Sequence, residues 1–469
     1  MDGNDGIIEL YYRFDPRPKI NLALYRNRVQ GELKVSYEKE INDFVERNRD
    51  EILQVLSELV QIRTENIPPS GNEKKGQEYL YNKLTEFIPE KDIEIFDTDE
   101  IEGIKEHPLF FPTIDGMKRR YKGRPNLVAT LRGRGGGSSL VLSGHVDTVP
   151  AGEEHWKIFD DPFSGKIKNG KLYGRGSMDM KGGLVASLFA IKCITELGLG
   201  LKGDVFFESV VDEEYGGVNG TLACRLRYPN IDFAILSEPS GLVSGIETRG
   251  GSDWKISIKE SGEGGITPIG YEIPNPIYKL SKVAISLEKY NKERNKIAKV
   301  PDAYKDNPFL PLLTFLFYAG GKECFEAKGV PTEAHLYFWV ETFAGMEEDE
   351  VTEDLIGFMH DELNKYQEFR NNFPNFERVT RYLSGHRTDR NHPALNSLRR
   401  SFKAFDIDYI KKGVPHVCDA FLFKLASKTD VVVLGPKGSK PHGLDEYVEV
   451  ESVMNLIKIM AYMAIDYSG

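Results

Sequence analysis

The stretch Leu140-Val-Leu-Ser-Gly-His145-Val-Asp147-Thr-Val-Pro150 decides the fold of this chain. Its first three residues form a short apolar run, which predicts a buried strand. A histidine and an aspartate follow directly, and open α/β sheets bind their ligands beyond the carboxyl ends of such strands. In a His-x-Asp pair, the imidazole can bind a metal through one nitrogen while the carboxylate orients the ring through the other. A single pair is a weak signal, so its interpretation depends on the rest of the chain.

Other predicted elements also end in acidic or histidine side chains. They are Asp179 at the entrance of an apolar helix over 184–197, Glu213 and Glu214 after a strand over 205–211, Glu238 after a strand over 231–236, and His442 after a strand over 431–434. Simpler interpretations exist, because Asp179 could cap its helix and the paired glutamates could form a solvated turn. However, adjacent glutamates at a strand end point in different directions and can serve different roles.

Together these segments offer two imidazoles and several carboxylates, the ligand set of a two-metal site for zinc, cobalt or manganese. One carboxylate must bridge, because two dications about 3.5–4 Å apart need negative charge between them. One glutamate should stay off the metals as general base for the attacking water. The reaction suited to this arrangement is amide hydrolysis, in which the metals polarise the carbonyl and the glutamate passes a proton to the leaving amine.

The composition indicates a globular protein that binds neither nucleic acid nor membrane. Its 469 residues allow two or three domains, and the formal net charge of −11 argues against a nucleic-acid partner. No apolar run approaches the ~20 residues that cross a bilayer, and the acidic first residues lack the layout of a secretion signal. Four cysteines stand apart without a Cys-x-x-Cys pair, as reduced thiols do. We therefore expect a cytoplasmic protein.

The order of predicted elements divides the chain into an α/β domain and an insertion. From about residue 248 the order becomes β-α-β-β-α, which is typical of a small α+β domain. We assign residues 1–247 and 369–469 to the larger domain and 248–368 to the insertion. A glycine run over 133–137 separates two strands and lacks the Lys-Ser/Thr ending of a phosphate loop, so we predict a hairpin turn. Residues 100–123 read as a surface insertion, and strand-like residues over 7–12 find no place in this scheme.

Five segments, in this order, resemble the acetylornithine deacetylase / succinyl-diaminopimelate desuccinylase / aminoacylase family of binuclear metallopeptidases. They are residues 143–150, 174–183, 211–217, 237–239 and 441–448. The resemblance implies a zinc-peptidase-like catalytic domain with a mixed central sheet and flanking helices. It also implies that the insertion is a lid or dimerisation domain, so that a homodimer through the lid is expected.

The resemblance also implies a ligand set for two divalent metal ions, with Zn²⁺ first and Co²⁺ or Mn²⁺ as alternatives. One ion would be bound by His145, Asp179 and Glu238, and the other by Asp179, Glu214 and His442. Asp179 is then the bridge.

The same resemblance gives roles to two residues that do not bind metal. Glu213 would activate the bridging water as general base, and Asp147 would orient His145. Glutamate rather than aspartate at position 238 is commoner in the family's deacylases and carboxypeptidase-like members, which favours N-acyl amino acids as substrates.

The insertion departs from the family pattern in two places. The family's lid histidine has no counterpart over 261–268, and its substrate-gripping arginine has none over 340–342. One lost oxyanion donor costs ~10²–10³ in rate. Transition-state stabilisation and carboxylate recognition must therefore come from other groups, or the substrate is atypical. The stand-ins we consider are Arg249, Lys322 and His335. Of the other histidines, we expect His416 near the pocket and the following at the surface: His155, His360, His386 and His392.

Three hypotheses for the function follow. The first is a metalloamidase that removes an acyl group from an N-acyl amino acid or related small amide. The second is a dipeptidase or carboxypeptidase of the same family, acting on a short peptide. The third is a non-catalytic metal-binding homologue, which the presence of Glu213 argues against because a mere metal holder needs no base.

Overall fold

The computed structural model describes residues 37–216, 219–260, 275–306, 312–320 and 330–469, without the side chain of Phe317. The strands of the two larger sheets are β1 Ile93–Asp97, β2 Pro125–Leu131, β3 Leu140–His145, β4 Val205–Val210, β5 Phe233–Leu236, β6 Ser244–Glu247, β7 Gly250–Lys259, β8 Thr314–Gly320, β9 Glu333–Thr342, β10 Asn375–Arg378, β11 Lys411–Gly413 and β12 Asp430–Val433. The helices are α1 Glu38–Arg47, α2 Arg49–Gln61, α3 Lys74–Thr85, α4 Gly182–Glu196, α5 Asn219–Arg227, α6 Pro276–Ile297, α7 Glu348–Leu363, α8 Pro393–Ala404, α9 Ala420–Ser427 and α10 Val450–Ser468. The strand-like residues 7–12 lie outside the described part.

The central sheet has the order β11-β6-β12-β5-β3-β4-β2-β1 and is mixed. The predicted strand after residue 139 is β3, an internal strand of this sheet that pairs in parallel with both β4 and β5. The predicted hairpin over 133–137 is wrong, because β4 lies between β2 and β3 and pairs with both. Sequence neighbours are therefore not sheet neighbours here, and the glycine run crosses over β4 instead of making a tight turn.

Alternating side chains of the central sheet bury two separate cores. Leu140 and Leu142 of β3 pack on the face covered by α1–α4, α8 and α10, whereas Val141 packs on the face covered by α5 and α9. Helix α4 is buried around almost its whole circumference, as its uniformly apolar sequence requires. A strand buried on both faces holds its end rigidly, and β3 ends at His145.

The second sheet is antiparallel, with the order β8-β9-β7-β10. One of its faces packs on α6 and α7 through Trp254, Ile256 and Ile258 of β7 and their neighbours on β9. Because side chains alternate along a strand, Asp253 of β7 and Trp339 of β9 point to the opposite face. This sheet and its helices make up the insertion, hereafter the lid, and its last strand, β10, follows residue 368.

The irregular segment over 100–123 is only partly a surface feature. Its later half turns inward, where Arg119 and Tyr121 are 5% and 4% exposed. Both donate hydrogen bonds to the buried carboxylate of Asp212, at 2.7 and 2.8 Å respectively. The segment therefore reaches the end of β4, directly before Glu213.

Within the described residues, no helix has the length and apolar character that crossing a bilayer requires. The cysteines that the structure describes, Cys193, Cys224 and Cys418, are buried and unbridged.

Candidate active site

His145 is held at the end of β3 by the residue two positions on. Its Nδ1 lies 2.9 Å from the backbone carbonyl oxygen of Asp147, whereas the Asp147 carboxylate is 3.7 Å away. Because a carbonyl oxygen only accepts, Nδ1 carries the proton in the neutral ring and Nε2 is left for a metal. Asp147 thus contacts the imidazole chiefly through its main chain.

The Asp147 carboxylate instead anchors the loop after β4. It accepts hydrogen bonds from the backbone N–H of Glu213 at 3.3 Å and of Glu214 at 3.1 Å, and from the Asn66 side chain at 2.9 Å. Asp212, which adopts φ 67°, holds the same loop from behind through Arg119 and Tyr121. These bonds fix the direction in which each glutamate leaves the backbone.

Asp179 lies between the two predicted histidine ligands. Its Oδ1 is 3.3 Å from Nε2 of His145, and its Oδ2 is 3.4 Å from Nε2 of His442. It does not cap α4, since the helix begins after Lys181 and receives no side-chain cap. This position between two imidazoles is the one expected of a bridging carboxylate.

The remaining predicted ligands surround the same point. Glu238 Oε1 lies 3.4 Å and Glu213 Oε2 lies 3.9 Å from Nε2 of His145. Glu214 Oε2 lies 2.8 Å from Nε2 of His442. Two triads have ligand atoms within 4.8 Å of one another, namely His145 with Asp179 and Glu214, and His145 with Glu213 and Glu238.

One residue that the sequence reasoning missed connects the loops of this site. Glu446 is fully buried and accepts backbone hydrogen bonds from Gly176, Met178 and Asp179. It also forms an ion pair with Arg175, whose Nη1 donates to Oε2 at 2.8 Å. In the sequence, the only indication that Glu446 belongs to the site is its position in the same segment as His442.

The electrostatics of the cluster reflect crowding of buried charges. Burial lowers the pKa of His145, but the charges of Glu238 and its other neighbours outweigh that effect and raise it well above its ordinary value. Burial, followed by the charge of Glu238, raises the pKa of Glu213 well above its usual range. Burial also raises the pKa of Glu238 to about 8. A bound dication would stabilise the ionised carboxylates and so lower the pKa values that burial raises.

A cavity of about 520 Å³ opens from the cluster toward the lid. The lid contributes Phe315, Asp253, Trp339 and Glu341 to its wall, and the loop before α9 contributes His416. His416 is therefore where the sequence placed it, and its buried Nε2 has no hydrogen-bond partner among the described residues.

The three proposed stand-ins lie elsewhere or outside the described residues. Arg249 is buried, lies 3.8 Å from Glu341 and stacks on the rings of Tyr304 and Phe343. His335 contacts two tyrosine rings on the lid sheet. Neither belongs to the described lining of the cavity, and Lys322 lies outside the described residues.

Four other histidines were predicted to lie at the surface. His155 and His360 are exposed and His392 is half-buried. The prediction is wrong for His386, which is 4% exposed and bonds Thr388 and the carbonyl of Val431.

Comparison with known proteins places this site in a family. Residues 141–466 match the sequence model of Peptidase family M20/M25/M40. The chain is 35% identical over 222 residues to the N-formyl-4-amino-5-aminomethyl-2-methylpyrimidine deformylase of Bacillus subtilis, covering 46% of this chain and 45% of that protein. It is 36% identical over 177 residues to the succinyl-diaminopimelate desuccinylase of Methylobacterium radiotolerans, covering 36% and 44%. The chain thus spans under half the length of these curated relatives.

Solved structures share the fold over nearly the whole chain. The dipeptidase Dug1p of Saccharomyces cerevisiae matches with TM-score 0.72 and 15% identity, covering 92% of this chain and 99% of that one. Human carnosine dipeptidase 1 matches with TM-score 0.66 and 16% identity over the same shares. At these identities the likeness concerns the fold alone.

Proposed function

The chain belongs to peptidase family M20/M25/M40, and we propose that it removes an acyl group from an N-acyl amino acid or related small amide. The observation that carries this proposal is the convergence of two imidazoles and four carboxylates. His442 and the four carboxylates line one cavity, and His145 is buried beside them. The deformylase and desuccinylase relatives support it, because both names describe removal of an acyl group.

The donor set suits two divalent cations, for which Zn²⁺ is our first choice and Co²⁺ or Mn²⁺ the alternatives. His145, Asp179 and Glu238 would hold one ion, and Asp179, Glu214 and His442 the other. When bound, such ions polarise an amide carbonyl and lower the pKa of water. The raised pKa values of Glu213, Glu214 and Glu238 fit a site that is completed by positive charge.

Glu213 is our candidate for the general base. It lines the cavity, and its Oε2 is further from His145 Nε2 than the nearest oxygens of Asp179 and Glu238 are. Burial raises its pKa, which makes its carboxylate a better proton acceptor. In the proposed step Glu213 takes a proton from the attacking water as the C–O bond forms. It then gives that proton to the amine nitrogen as the C–N bond breaks.

His416 is our candidate for the donor that replaces the missing lid histidine. Its unpartnered Nε2 is buried in the wall of the cavity. Burial lowers its pKa, so the ring is neutral and can donate one N–H bond without adding charge. We assign it to the carbonyl oxygen of the substrate, where negative charge develops.

We also propose a homodimer through the lid. On the lid, Tyr278 and Ile285 of α6 and Leu316 of the edge strand β8 are exposed, and exposed apolar side chains favour association. A cytoplasmic location remains a prediction from the sequence.

The test is metal analysis and a substrate panel with the purified full chain. We expect two metal ions per chain and hydrolysis of formyl, acetyl or succinyl amides by the zinc- or cobalt-loaded protein. Hydrolysis of dipeptides alone would favour the peptidase alternative. Two bound metals without cleavage of any amide would favour the non-catalytic homologue and contradict our proposal.

A further inference from the structure

The cavity face of the lid sheet carries three side chains in a row. The strand register places Phe315 of β8 opposite Trp339 of β9, and Trp339 opposite Asp253 of β7. All three line the cavity that also contains the proposed metal ligands Asp179, Glu214, Glu238 and His442. Direct cross-strand neighbours lie about 4.5–5.5 Å apart at Cβ, so two aromatic rings and a carboxylate form one continuous surface.

The carboxylate of this row has no cationic partner in the described part of the chain. Asp253 Oδ2 accepts a hydrogen bond from the Thr380 hydroxyl at 3.1 Å, and no described lysine or arginine lies within ion-pair distance. Burial raises the pKa of Asp253 to about 6, so the group remains mostly ionised at neutral pH.

The other lid residues that line the cavity add no positive charge. Glu341 lies beside the row, where it accepts the Leu313 N–H at 3.0 Å and faces Arg249 at 3.8 Å. Among the described residues that line the cavity there is neither lysine nor arginine. A carboxylate on the substrate would therefore meet like charge at this wall without a compensating cation.

We propose that the amine released by this enzyme bears an aromatic ring with a cationic or N–H-donating substituent and no carboxylate. The ring would stack on Trp339 and Phe315, and the substituent would donate to Asp253. This inference rests on the proposed function and narrows it, since it selects the small amides over the N-acyl amino acids. The carboxylate of Asp253 then attracts a hydrogen-bond donor on the leaving amine and repels a carboxylate, so that one group provides both sides of the specificity.

The probes are three amides with the same acyl group, taken from the substrate panel. Their amines are 4-amidinobenzylamine, benzylamine and 4-carboxybenzylamine, which are cationic, neutral and anionic at the ring. For the wild-type holoenzyme we expect kcat/KM to fall in that order, by about tenfold or more between the first and the last, as charge-assisted bonding implies. A higher or equal value for the carboxylate would overturn the inference while leaving the amidase function intact.

Asp253→Asn tests the role of the Asp253 charge, because the asparagine side chain has the same size and can still accept the hydrogen bond from Thr380. We expect it to reduce the preference for the amidine over the carboxylate about tenfold, while the metal content stays near wild type. An unchanged ratio between the values for the amidine and the carboxylate in this variant would contradict the assignment. The matched control is Asp361→Asn, which alters an exposed aspartate on α7 and should leave all three values unchanged.

Binding of the free amines provides a readout that needs no turnover. By calorimetry with the zinc-loaded full chain, we expect 4-amidinobenzylamine to bind about tenfold more tightly than 4-carboxybenzylamine, and Asp253→Asn to remove the difference. If no amide is cleaved, this experiment still tests whether the lid prefers a cationic amine. Failure of the proposed amidase function and failure of the proposed amine preference can therefore be distinguished. Equal or tighter binding of the carboxylate would reject it.

Discussion

The guanidinium of Arg175 and the carboxylate of Glu446 form a fully buried ion pair, with Nη1 and Oε2 2.8 Å apart. Each partner also bonds the backbone of a ligand segment. Arg175 donates to the carbonyl of His442 at 3.2 Å, and Glu446 accepts the N–H of Asp179 at 3.1 Å. The pair therefore sets the separation between the proposed bridging carboxylate and the late histidine.

Glu446→Gln should weaken both folding and metal retention. It leaves Arg175 without its buried counter-charge, and loss of one partner of such a pair costs about 3–5 kcal/mol. Denaturant unfolding and metal content after dialysis measure the two effects. The control is Glu451→Gln in the exposed pair with Arg49, for which we expect less than about 1 kcal/mol. Equal effects of the two variants would show that burial of the Glu446 pair does not matter.

Glu213→Gln should abolish turnover while both metals remain bound. The amide cannot accept the proton of the attacking water, so we expect kcat to fall by about 10²–10⁴. His145→Ala and Asp179→Asn should instead lose metal, because both remove proposed ligand atoms. Elemental analysis beside kinetics separates the classes, and equal metal loss in all three variants would refute this division of roles.

His416→Ala should lower kcat by about 10²–10³ with little change in metal content, as expected for loss of one donor to a developing oxyanion. His416→Gln retains an N–H donor and should recover part of the rate, which a purely structural role would not explain. The comparison variant is His335→Ala, since His335 lies on the lid but does not line the described cavity. A large loss with His335→Ala and none with His416→Ala would return the role to the lid.

His386 should make stability depend on pH. Burial lowers its folded pKa to about 4, below the unfolded value of about 6.5. The unfolded chain therefore binds the proton first as pH falls, and stability is lost between about pH 6.5 and 4, by roughly 3 kcal/mol in total. His386→Gln should flatten this part of the unfolding free energy curve, whereas His155→Gln, at an exposed position, should not. Identical pH profiles for wild type and His386→Gln would contradict the prediction.

The sequence predicted what local patterns encode and missed what depends on distant pairing. His145, Asp179, Glu213, Glu214 and Glu238 could be proposed as site residues because each directly follows a recognisable apolar strand or precedes an apolar helix. The row of Phe315, Trp339 and Asp253 on the lid could not be predicted, because only the strand register brings these three residues together.

Two errors have the same origin. The hairpin over 133–137 was inferred from closeness along the chain, and β4 intervenes from more than 60 residues later. His386 was placed at the surface on its polar neighbours in sequence, although tertiary contacts with Val431 bury it. Short-range context reports local conformation, but burial and strand order are decided by the whole fold.

The position of β4 between β2 and β3 has a consequence for biosynthesis. The centre of the sheet cannot close until residue 210 has left the ribosome, and His442 emerges more than 200 residues later still. Domains rich in such distant pairings fold slowly and expose apolar strands meanwhile. Helix α10, which covers one of the two cores, and His442, the last proposed metal ligand, both emerge at the end of synthesis. Completion of that core and of the proposed metal site are therefore among the last events in the maturation of the chain.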